Sequence, residues 1–300
     1  MTDRTARIDR TRPSDRRFSS LYAQLTKLPI VALAALSAVT GYLVMRRSFD
    51  AGAVTLLLGV LQVGMGTCAL NQVQDRRIDA LMGRTRRRPI PSGAIRPGTA
   101  LAVAVLLMTG GFLVLWRFHT LTAALIALAA AAWYNGVYTY VKRRSACAIV
   151  PGALVGALPP AIGWTAAGGA PSDPRLLALC FVFFIWQVPH FWLLLCLFGD
   201  EYAGAGLPSL TVRFGVRRLA GISFVWMLAT SASALLLPVY GLTSSSWAPL
   251  ALAACALWLA WTASAVLASG GDGARTRPAF RAVNLYVLLI MALLVADALL

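Results

Sequence analysis

The sequence predicts an all-α integral membrane protein with nine transmembrane helices. Of the 300 residues, 59% are hydrophobic and only 13% are charged. A soluble domain has roughly 45–50% apolar residues, and about a quarter of its residues are charged. The apolar residues of this chain fall in nine blocks of about 18–23 residues, the length that crosses roughly 30 Å of hydrocarbon. Composition and block length therefore both indicate a multi-span helical membrane protein.

Each block ends where charged or turn-forming residues interrupt the apolar run. Arginines close the first block, the polar segment 71–98 separates the second from the third, and basic or Gly- and Ser-rich segments separate the later ones. Charged residues are costly inside hydrocarbon, so these interruptions mark the ends of the spans. The predicted spans cover residues 28–46, 51–70, 99–116, 118–140, 146–168, 175–198, 218–240, 246–268 and 281–300.

The basic residues are distributed unevenly between the two sides of the predicted bundle. With the N-terminus in the cytoplasm, 23 of the 27 Lys and Arg residues fall in cytoplasmic segments, and the other four are Arg46, Arg47, Arg117 and Arg175. Cytoplasmic loops carry an excess of Lys and Arg. We therefore expect a multi-pass membrane protein with a cytoplasmic N-terminus and its C-terminus outside. Topology also explains the net charge of +16, so no nucleic-acid partner is needed.

The chain is predicted to have two parts. Residues 1–20 are too long and polar for a signal peptide, and we interpret them as a flexible basic cytoplasmic tail near anionic lipid. Residues 21–300 form the single nine-helix domain. The five cysteines lie in the apolar blocks without CxxC spacing, which predicts neither a disulfide framework nor a zinc site. His119 and Asp297 are expected near the outer surface and outside any catalytic site.

Asn71, Asp75 and Asp79 follow the second predicted span at a spacing of four residues. On a helix that continues from this span, they form one stripe with about 6 Å between neighbours. Such oxygen ligands suit Mg²⁺, which also binds the phosphate oxygens of a substrate. The alternative is a helix end whose carboxylates only pair with Arg76 or Arg84.

A second acidic pair, Asp200 and Glu201, falls on the same predicted side of the membrane. Two acidic sites on one face of a bundle favour a shared chamber, to which this pair adds a second metal site or a closing loop. Basic residues nearby suit phosphate, because arginine bridges its oxygens with two parallel hydrogen bonds; the alternative is a membrane-surface anchor. The candidates for phosphate contacts are Arg84, Arg88, Lys142 and Arg143.

Three segments of the chain have the form of known motifs: NQVQDRRID at 71–79, MGRTRRRPIPSG at 82–93 and FIWQVPHFW at 184–192. The first is similar to the first aspartate-rich motif of the UbiA superfamily of membrane prenyltransferases, and the other two resemble the heme O synthase branch of that family. The resemblance runs from about residue 20 to the C-terminus. Further similar segments are LTK at 25–27, YTYVKRRS at 138–145, GALVGALPPAIGW at 152–164, EYAGAGLP at 201–208 and AFRAVNLYVLL at 279–289.

The resemblance implies nine transmembrane helices around a central cavity, with both aspartate-rich loops on the cytoplasmic side. It implies transfer of a farnesyl group from farnesyl diphosphate to a vinyl group of protoheme IX with addition of water, giving heme O and pyrophosphate. Mg²⁺ held by Asn71, Asp75 and Asp79 would stabilise the departing pyrophosphate. Asp75, Asp79 and Lys142 are expected to be catalytic. A transient contact with heme A synthase or a terminal oxidase is left open.

His190 is the main candidate on the acceptor side. It follows Pro189 inside a predicted span, where proline bends a helix. An ionisable residue there is a functional candidate, either as a ligand of heme iron or as a base that assists water. The alternative is a buried histidine bonded to a neighbouring carbonyl. Aromatic rings are candidates for stabilising the allylic cation or for interfacial anchoring. These rings are Tyr134, Tyr138, Trp164, Trp186 and Trp192.

The chain departs from the family's pattern at four positions. Leu28 stands where a proline follows LTK, and Ala148 where an asparagine follows the KR segment. Glu201 stands where an aspartate precedes tyrosine, and Ser209 where a methionine follows the loop's proline. These departures leave open an aromatic quinone or pigment precursor as the acceptor. A transporter is a third hypothesis, although the sequence shows no matching halves of the kind that transporters contain.

Overall fold

The computed structural model describes residues 18–269 and 273–300, so most of the predicted tail (residues 1–17) lies outside the described residues. Within these ranges the chain is helical without β-strands, which confirms the all-α class. The helices are α1 (Phe18–Leu25), α2 (Leu28–Arg46), α3 (Ala51–Asp79), α4 (Pro97–Phe118), α5 (Leu121–Ala132), α6 (Thr139–Val141), α7 (Ile149–Ala166), α8 (Pro174–Gly204), α9 (Leu210–Ser233), α10 (Leu236–Val239), α11 (Trp247–Ser269) and α12 (Gly273–Leu299). A π-helical turn, Trp133–Tyr138, joins α5 to α6, and a 3-10 turn, Ala146–Ala148, leads into α7.

Nine helical segments in the described part of the chain are long and apolar enough to cross a membrane, as predicted. Exposed apolar side chains cover their outer surface, and Leu250 and Trp261 each remain 74% exposed. Such an extended apolar surface is one that faces lipid. The segments are Leu28–Arg46, Ala51–Asp79, Pro97–Phe118, Leu121–Val141, Ala146–Ala166, Pro174–Gly204, Leu210–Val239, Trp247–Leu267 and Thr276–Leu299.

Four helices, α3, α8, α9 and α12, extend well beyond the apolar blocks that predicted them. The helix α8 continues to Gly204, past the predicted residue 198, and α12 begins at Gly273, before the predicted residue 281. The second block ends at residue 70, but α3 continues to Asp79, as the spacing of its polar stripe required. The seventh span begins at Leu210, before the predicted residue 218. Between these two positions Gly215 adopts φ 74° and ψ 156°, so α9 contains a kink. Hydropathy misses these extensions because the added turns contain polar and charged residues.

The two largest hydrophobic clusters lie in the interior of the bundle, and α7 contributes to both. One cluster joins α2, α3, α4 and α5 to α7 and includes Leu115 and Ile162. The other joins α7 to α8, α9, α11 and α12 and includes Leu179 and Tyr286. The helix α7 therefore lies between two halves of the bundle and packs against each of them.

The helices α2 and α7 approach each other closely at two glycines. A Cβ atom on Gly163 would lie 1.7 Å from the carbonyl oxygen of Ala38, and one on Gly41 would lie 2.2 Å from that of Pro160. Both oxygens belong to the backbone, so they cannot move aside as the end of a side chain can. Small residues join membrane helices in this way, by letting their backbones come close.

The two ends of the bundle carry different polar groups. At one end Asp297 is buried and accepts hydrogen bonds from the backbone N–H groups of Ser244 and Ser245, both at 2.8 Å. Asp297, in α12, therefore stabilises the turn that precedes α11, which is a structural role. The opposite end, where α3, α6 and α8 terminate, contains the residues predicted to perform the chemistry.

Candidate active site

The C-terminal part of α3 carries the three residues predicted as oxygen ligands. Asn71, Asp75 and Asp79 are 2%, 4% and 4% exposed, so the stripe faces the inside of the bundle. A buried carboxylate is costly unless hydrogen bonds and opposite charges compensate for its lost hydration. Each of the three side chains has partners of this kind.

Asp75 is held by two basic side chains of the turn that follows α6. Its Oδ1 accepts a hydrogen bond from Arg143 Nη2 at 2.9 Å, and its Oδ2 forms a short ion pair with Lys142 Nζ. Asn71 Nδ2 also donates to Oδ2, at 2.9 Å. Burial lowers the pKa of the Lys142 amine, while the charge of Asp75 raises it. The structure thus brings two predicted phosphate contacts to a predicted metal ligand.

Asn71 connects this ion pair to three other parts of the chain. Its Nδ2 donates to Thr139 Oγ1 at 3.1 Å as well as to Asp75. Its Oδ1 accepts hydrogen bonds from Lys27 Nζ at 3.0 Å and from the Tyr134 hydroxyl at 3.3 Å. Both polar atoms of the amide are therefore engaged, and Asn71 lies at the centre of the cluster.

Lys27 joins the cluster although no sequence pattern identified it as a site residue. It occupies the turn between α1 and α2 with φ 51° and ψ 43°, a left-handed conformation that residues other than glycine rarely adopt. Backbone strain of this kind is found most often at functional sites. Burial lowers the pKa of Lys27. The LTK segment at 25–27 resembles the family's sequence, but this resemblance did not assign a role to Lys27.

Asp79 pairs with Arg88 from the segment between α3 and α4. Arg88 Nη1 lies 2.9 Å from Oδ1 and 2.8 Å from Oδ2 of Asp79. Thr85 Oγ1 donates to the carbonyl oxygen of Asp79 at 2.9 Å, which folds the segment back onto the end of α3. Arg76 instead donates to the carbonyl oxygen of Val73. Among the described residues neither Arg76 nor Arg84 forms an ion pair with the stripe, so the partners named in the alternative are wrong.

The π-helical turn fixes the fourth span against α3. This turn leaves the carbonyl oxygen of Asn135 available, and Gln74 Nε2 donates to it at 3.0 Å. In return, Asn135 Nδ2 donates to Gln74 Oε1 at 3.0 Å. Such turns are frequent at functional sites. The hydrogen bonds between Asn135 and Gln74 therefore hold this span against α3 just before Lys142 and Arg143, which contact Asp75.

The second acidic pair contacts the first loop through one of its residues. Glu201 Oε2 accepts a hydrogen bond from the backbone N–H of Arg84 at 3.2 Å. The Arg84 guanidinium lies 5.7 Å from the ring centroid of Phe198, where α8 departs from helical angles with φ −134°. Asp200 is exposed and has no ion pair with any described residue. Glu201 therefore joins the two loops, whereas the structure does not bring Asp200 into the cluster.

His190 lies in a second group of predicted residues, between α8 and α12. Its Nδ1 is 2.7 Å from Oδ1 of Asn284, and its ring centroid is 5.3 Å from that of Trp186. Trp186 Nε1 donates to the carbonyl oxygen of Val283 at 2.8 Å. Within α8, the residue that departs from helical angles is Phe198 and not Pro189.

The other predicted aromatic residues occupy three places. Tyr134 and Tyr138 stack beside the Asp75 cluster with ring centroids 5.6 Å apart. Trp192 packs edge to face against Trp226, at 5.5 Å between centroids. Trp164 is buried at the end of α7 that lies away from the cluster. The structure therefore does not bring Trp164 to the site, and it has the role of a core residue.

The donor atoms of the α3 stripe fit a magnesium ion in their chemistry. No group of three or more His, Cys, Asp or Glu side chains occurs among the described residues at metal-binding distance. Mg²⁺, however, binds one or two carboxylates together with water and substrate phosphates, and the stripe supplies two carboxylates and an amide oxygen. Ammonium and guanidinium groups now pair with these carboxylates, and the same groups bind phosphate.

Comparison with known proteins gives a consistent result. The profile of the UbiA prenyltransferase family matches residues 29–295. A protoheme IX farnesyltransferase of Geobacter sulfurreducens is 44% identical over 223 residues, which are 73% of this chain and 81% of that protein. A protein of the same name from Oleidesulfovibrio alaskensis is 33% identical over 92% of this chain and 96% of its own length.

Solved structures share the fold at lower sequence identity. A UbiA homolog from Aeropyrum pernix K1 has a TM-score of 0.75 at 21% identity, over 91% of this chain and 99% of that one. A UbiA homolog from Archaeoglobus fulgidus, solved with GPP and Mg²⁺, has a TM-score of 0.64 at 15% identity, over 91% and 99% of the two chains. From the family profile and the relatives, we conclude that this chain belongs to the UbiA prenyltransferase family, whose members are multi-pass membrane proteins.

Proposed function

We propose that this chain is a protoheme IX farnesyltransferase. It transfers the farnesyl group of farnesyl diphosphate to a vinyl group of protoheme IX and adds water, which gives heme O and pyrophosphate. The observation that carries the proposal is the cluster at the end of α3, where two buried carboxylates face three basic side chains. The names of the relatives from Geobacter sulfurreducens and Oleidesulfovibrio alaskensis support the donor and the acceptor.

Asn71, Asp75 and Asp79 would hold Mg²⁺ in this reaction. The Archaeoglobus fulgidus homolog of the same fold was solved with GPP and Mg²⁺, which supports this assignment. When bound, the ion stabilises negative charge on departing pyrophosphate as a Lewis acid. Glu201 would close the second acidic loop over the first, and Asp200 remains a candidate for a second metal.

The basic residues of the cluster would change partners when the diphosphate enters. Lys142 and Arg143 now pair with Asp75, and Arg88 pairs with Asp79. Phosphate oxygens accept the same charge-assisted hydrogen bonds. These three side chains, together with Arg84, would therefore bind the diphosphate. The carboxylates of Asp75 and Asp79 would then be free of their present partners. Until the diphosphate binds, the ion pairs compensate the buried negative charges of Asp75 and Asp79.

Cleavage of the bond between farnesyl C1 and the diphosphate oxygen leaves an allylic cation. Tyr134 and Tyr138 offer stacked ring faces beside the cluster, and ring faces attract cations. The vinyl group supplies the electron pair for the new carbon–carbon bond. The oxygen of water then bonds to the cation left on the vinyl group, and one proton is released.

His190 and the neighbouring Trp186 are the proposed acceptor site, with Trp192 as a further lining residue. The imidazole would ligate the heme iron or assist the incoming water. Ser209, which replaces the family's methionine, accepts a hydrogen bond from the backbone N–H of Thr211 and caps α9. Ser209 therefore has a structural role, and its difference from the family's methionine does not argue against heme as the acceptor.

The membrane orientation is part of the proposal. Most of the basic residues that the structure describes lie in segments at the end of the bundle that contains the Asp75 cluster, and this imbalance supports a cytoplasmic location for that end. The N-terminus would then be cytoplasmic and the C-terminus outside, in a bacterial inner membrane. Both substrates would reach the chain from the cytoplasmic side or from the bilayer.

The test is to incubate the detergent-purified protein with farnesyl diphosphate, Mg²⁺ and reduced protoheme IX, and to analyse the extracted hemes by mass spectrometry. Formation of hydroxyethylfarnesyl heme, together with pyrophosphate, is the expected result. Pyrophosphate release with unmodified heme would support a prenyltransferase that acts on an aromatic acceptor instead. If a folded preparation released no pyrophosphate and formed no new heme, the proposal would be wrong.

A further inference from the structure

Two side-chain hydrogen bonds connect α8 to α12 around His190. Trp186 Nε1 donates to the carbonyl oxygen of Val283, and one helical turn further along α8 the His190 ring meets Asn284. His190 is also flanked by Phe280 and Phe191, with ring centroids 5.1 Å and 5.3 Å away. The imidazole is therefore flanked by aromatic rings but remains partly exposed, and Asn284 is its polar contact.

The hydrogen bonds of Asn284 identify which nitrogen of His190 carries a proton. Asn284 Nδ2 lies 2.6 Å from the carbonyl oxygen of Phe280, and a carbonyl oxygen can only accept a hydrogen bond. The amide nitrogen must therefore point at Phe280, which leaves Oδ1 facing His190. Because Oδ1 is also only an acceptor, His190 Nδ1 must be the donor. Turning the amide over would place Oδ1 against the carbonyl oxygen of Phe280, where neither atom can donate, so the contact with Phe280 fixes the amide.

The remaining ring nitrogen, Nε2, forms no hydrogen bond with the residues that the structure describes. A neutral imidazole protonated on Nδ1 carries its lone pair on Nε2, the form in which histidine ligates iron. In metal sites the second nitrogen commonly donates to a carbonyl or carboxylate oxygen, which fixes the tautomer and the orientation of the ring. Asn284 Oδ1 is the oxygen that accepts this hydrogen bond from His190 Nδ1.

We infer that Asn284 is a positioning residue for His190: it holds the proton on Nδ1 so that Nε2 is presented as the axial ligand of the acceptor's heme iron. This inference rests on the proposed function, because it assigns the group that holds the acceptor. It concerns a ligand bond to iron and requires no oxidation or reduction. The residue acts through His190 and makes no contact with the reacting vinyl group.

The experiment is a titration of the detergent-purified full-length protein with protoheme IX, followed by absorption, electron paramagnetic resonance and resonance Raman spectra. The wild-type protein is expected to show a histidine-ligated iron, and His190→Ala is expected to lose this signature. Asn284→Leu removes the acceptor at similar volume. It is expected to lose the signature and to weaken heme binding by roughly 10- to 100-fold. Asn284→Asp restores an acceptor, so it is expected to restore the signature with a raised iron–histidine stretching frequency.

Tyr286→Phe is the matched control on the same helix. It removes a hydrogen bond from the Tyr286 hydroxyl to the carbonyl oxygen of Ser231, 3.1 Å long, which links α12 to α9. This variant is expected to keep the heme spectrum. The inference is overturned if Asn284→Leu keeps the histidine signature, if His190→Ala keeps it, or if Tyr286→Phe loses it to the same extent.

Product analysis separates this inference from the proposed function. Heme O formed by a wild-type protein without histidine ligation contradicts only the inference. Histidine ligation without heme O contradicts only the proposed reaction.

Discussion

At the scale of single residues, Asp75 shows what a sequence pattern can and cannot reveal. The spacing of four residues predicted that Asn71 and Asp75 would share a helical face, and they form a hydrogen bond at 2.9 Å. The partners Lys142 and Arg143 are 67 and 68 positions away. Only the packing of the fourth span against α3 determines these contacts. The sequence therefore predicted the charges of the cluster but not their pairing.

Replacement of Asp75 by Asn is expected to lower turnover by roughly 100-fold or more, because Lewis-acid catalysis contributes several kcal/mol and the carboxylate is a proposed metal ligand. The measurement is pyrophosphate release as a function of Mg²⁺ concentration. Asp173→Asn is the matched control, because Asp173 pairs with Arg175 at the start of α8, away from the cluster. Equal turnover in the two variants would remove Asp75 from the chemistry.

Replacement of Lys27 by Met is expected to weaken binding of an unreactive farnesyl diphosphate analogue by roughly 10- to 100-fold. The reason is that hydrogen bonds to charged groups contribute about 1.5–3 kcal/mol. Lys27 already lies 3.0 Å from Asn71 Oδ1 and would be within reach of a bound phosphate. Lys27→Arg keeps the charge and is expected to retain most of the affinity. Calorimetry measures both, and an unchanged Lys27→Met would show that Lys27 only supports Asn71.

At the scale of helices, apolar block length predicted every span in the described chain but not the details at their ends. The kink at Gly215 and the left-handed turn at Lys27 are set by backbone angles that hydropathy does not report. The same holds for the close approach of α2 and α7. Glycines are visible in the sequence, yet only the structure shows which of them lie against another backbone.

Replacement of Gly163 by Ala is expected to destabilise the protein by about 1–3 kcal/mol, the usual cost of overpacking. The new methyl group would lie 1.7 Å from the carbonyl oxygen of Ala38 and would force α2 and α7 apart. The midpoint of thermal unfolding in detergent is the measurement. Gly221→Ala is the control, because Gly221 lies in α9 with no atom within 4 Å of an added Cβ. There the change is expected to be neutral or stabilising. Equal midpoints for both variants would contradict the described contact.

At the scale of the whole molecule, the end that we propose to be catalytic lies opposite the end that contains Asp297. One end contains the Asp75 cluster, and the other contains Asp297 with its turn. The sequence assigned both acidic pairs and most of the counted basic residues to one predicted side, and this arrangement predicted a chamber at that end. What the count could not predict is that several of these basic residues, such as Arg88 and Lys142, pair with buried carboxylates instead of facing lipid head groups.

The proposed orientation predicts which side of the membrane each loop faces. Cys147 is exposed and lies just after the basic turn that contacts Asp75. A membrane-impermeant maleimide is therefore expected to label it in inverted vesicles and not in right-side-out vesicles. A Cys147→Ser, Ser48→Cys variant places the thiol in the exposed turn between α2 and α3 and is expected to show the opposite result. Reversed labelling would overturn the orientation and leave the fold unchanged.

The π-helical turn at Trp133–Tyr138 has a consequence for comparing this chain with distant members of its fold. A π-turn adds one residue to a helix without changing where its two ends lie. A relative whose fourth span is α-helical throughout therefore aligns correctly with this chain only if a one-residue gap is placed within that turn. Without the gap, Lys142 and Arg143 are matched to the wrong neighbours, and the relative appears to lack the basic pair.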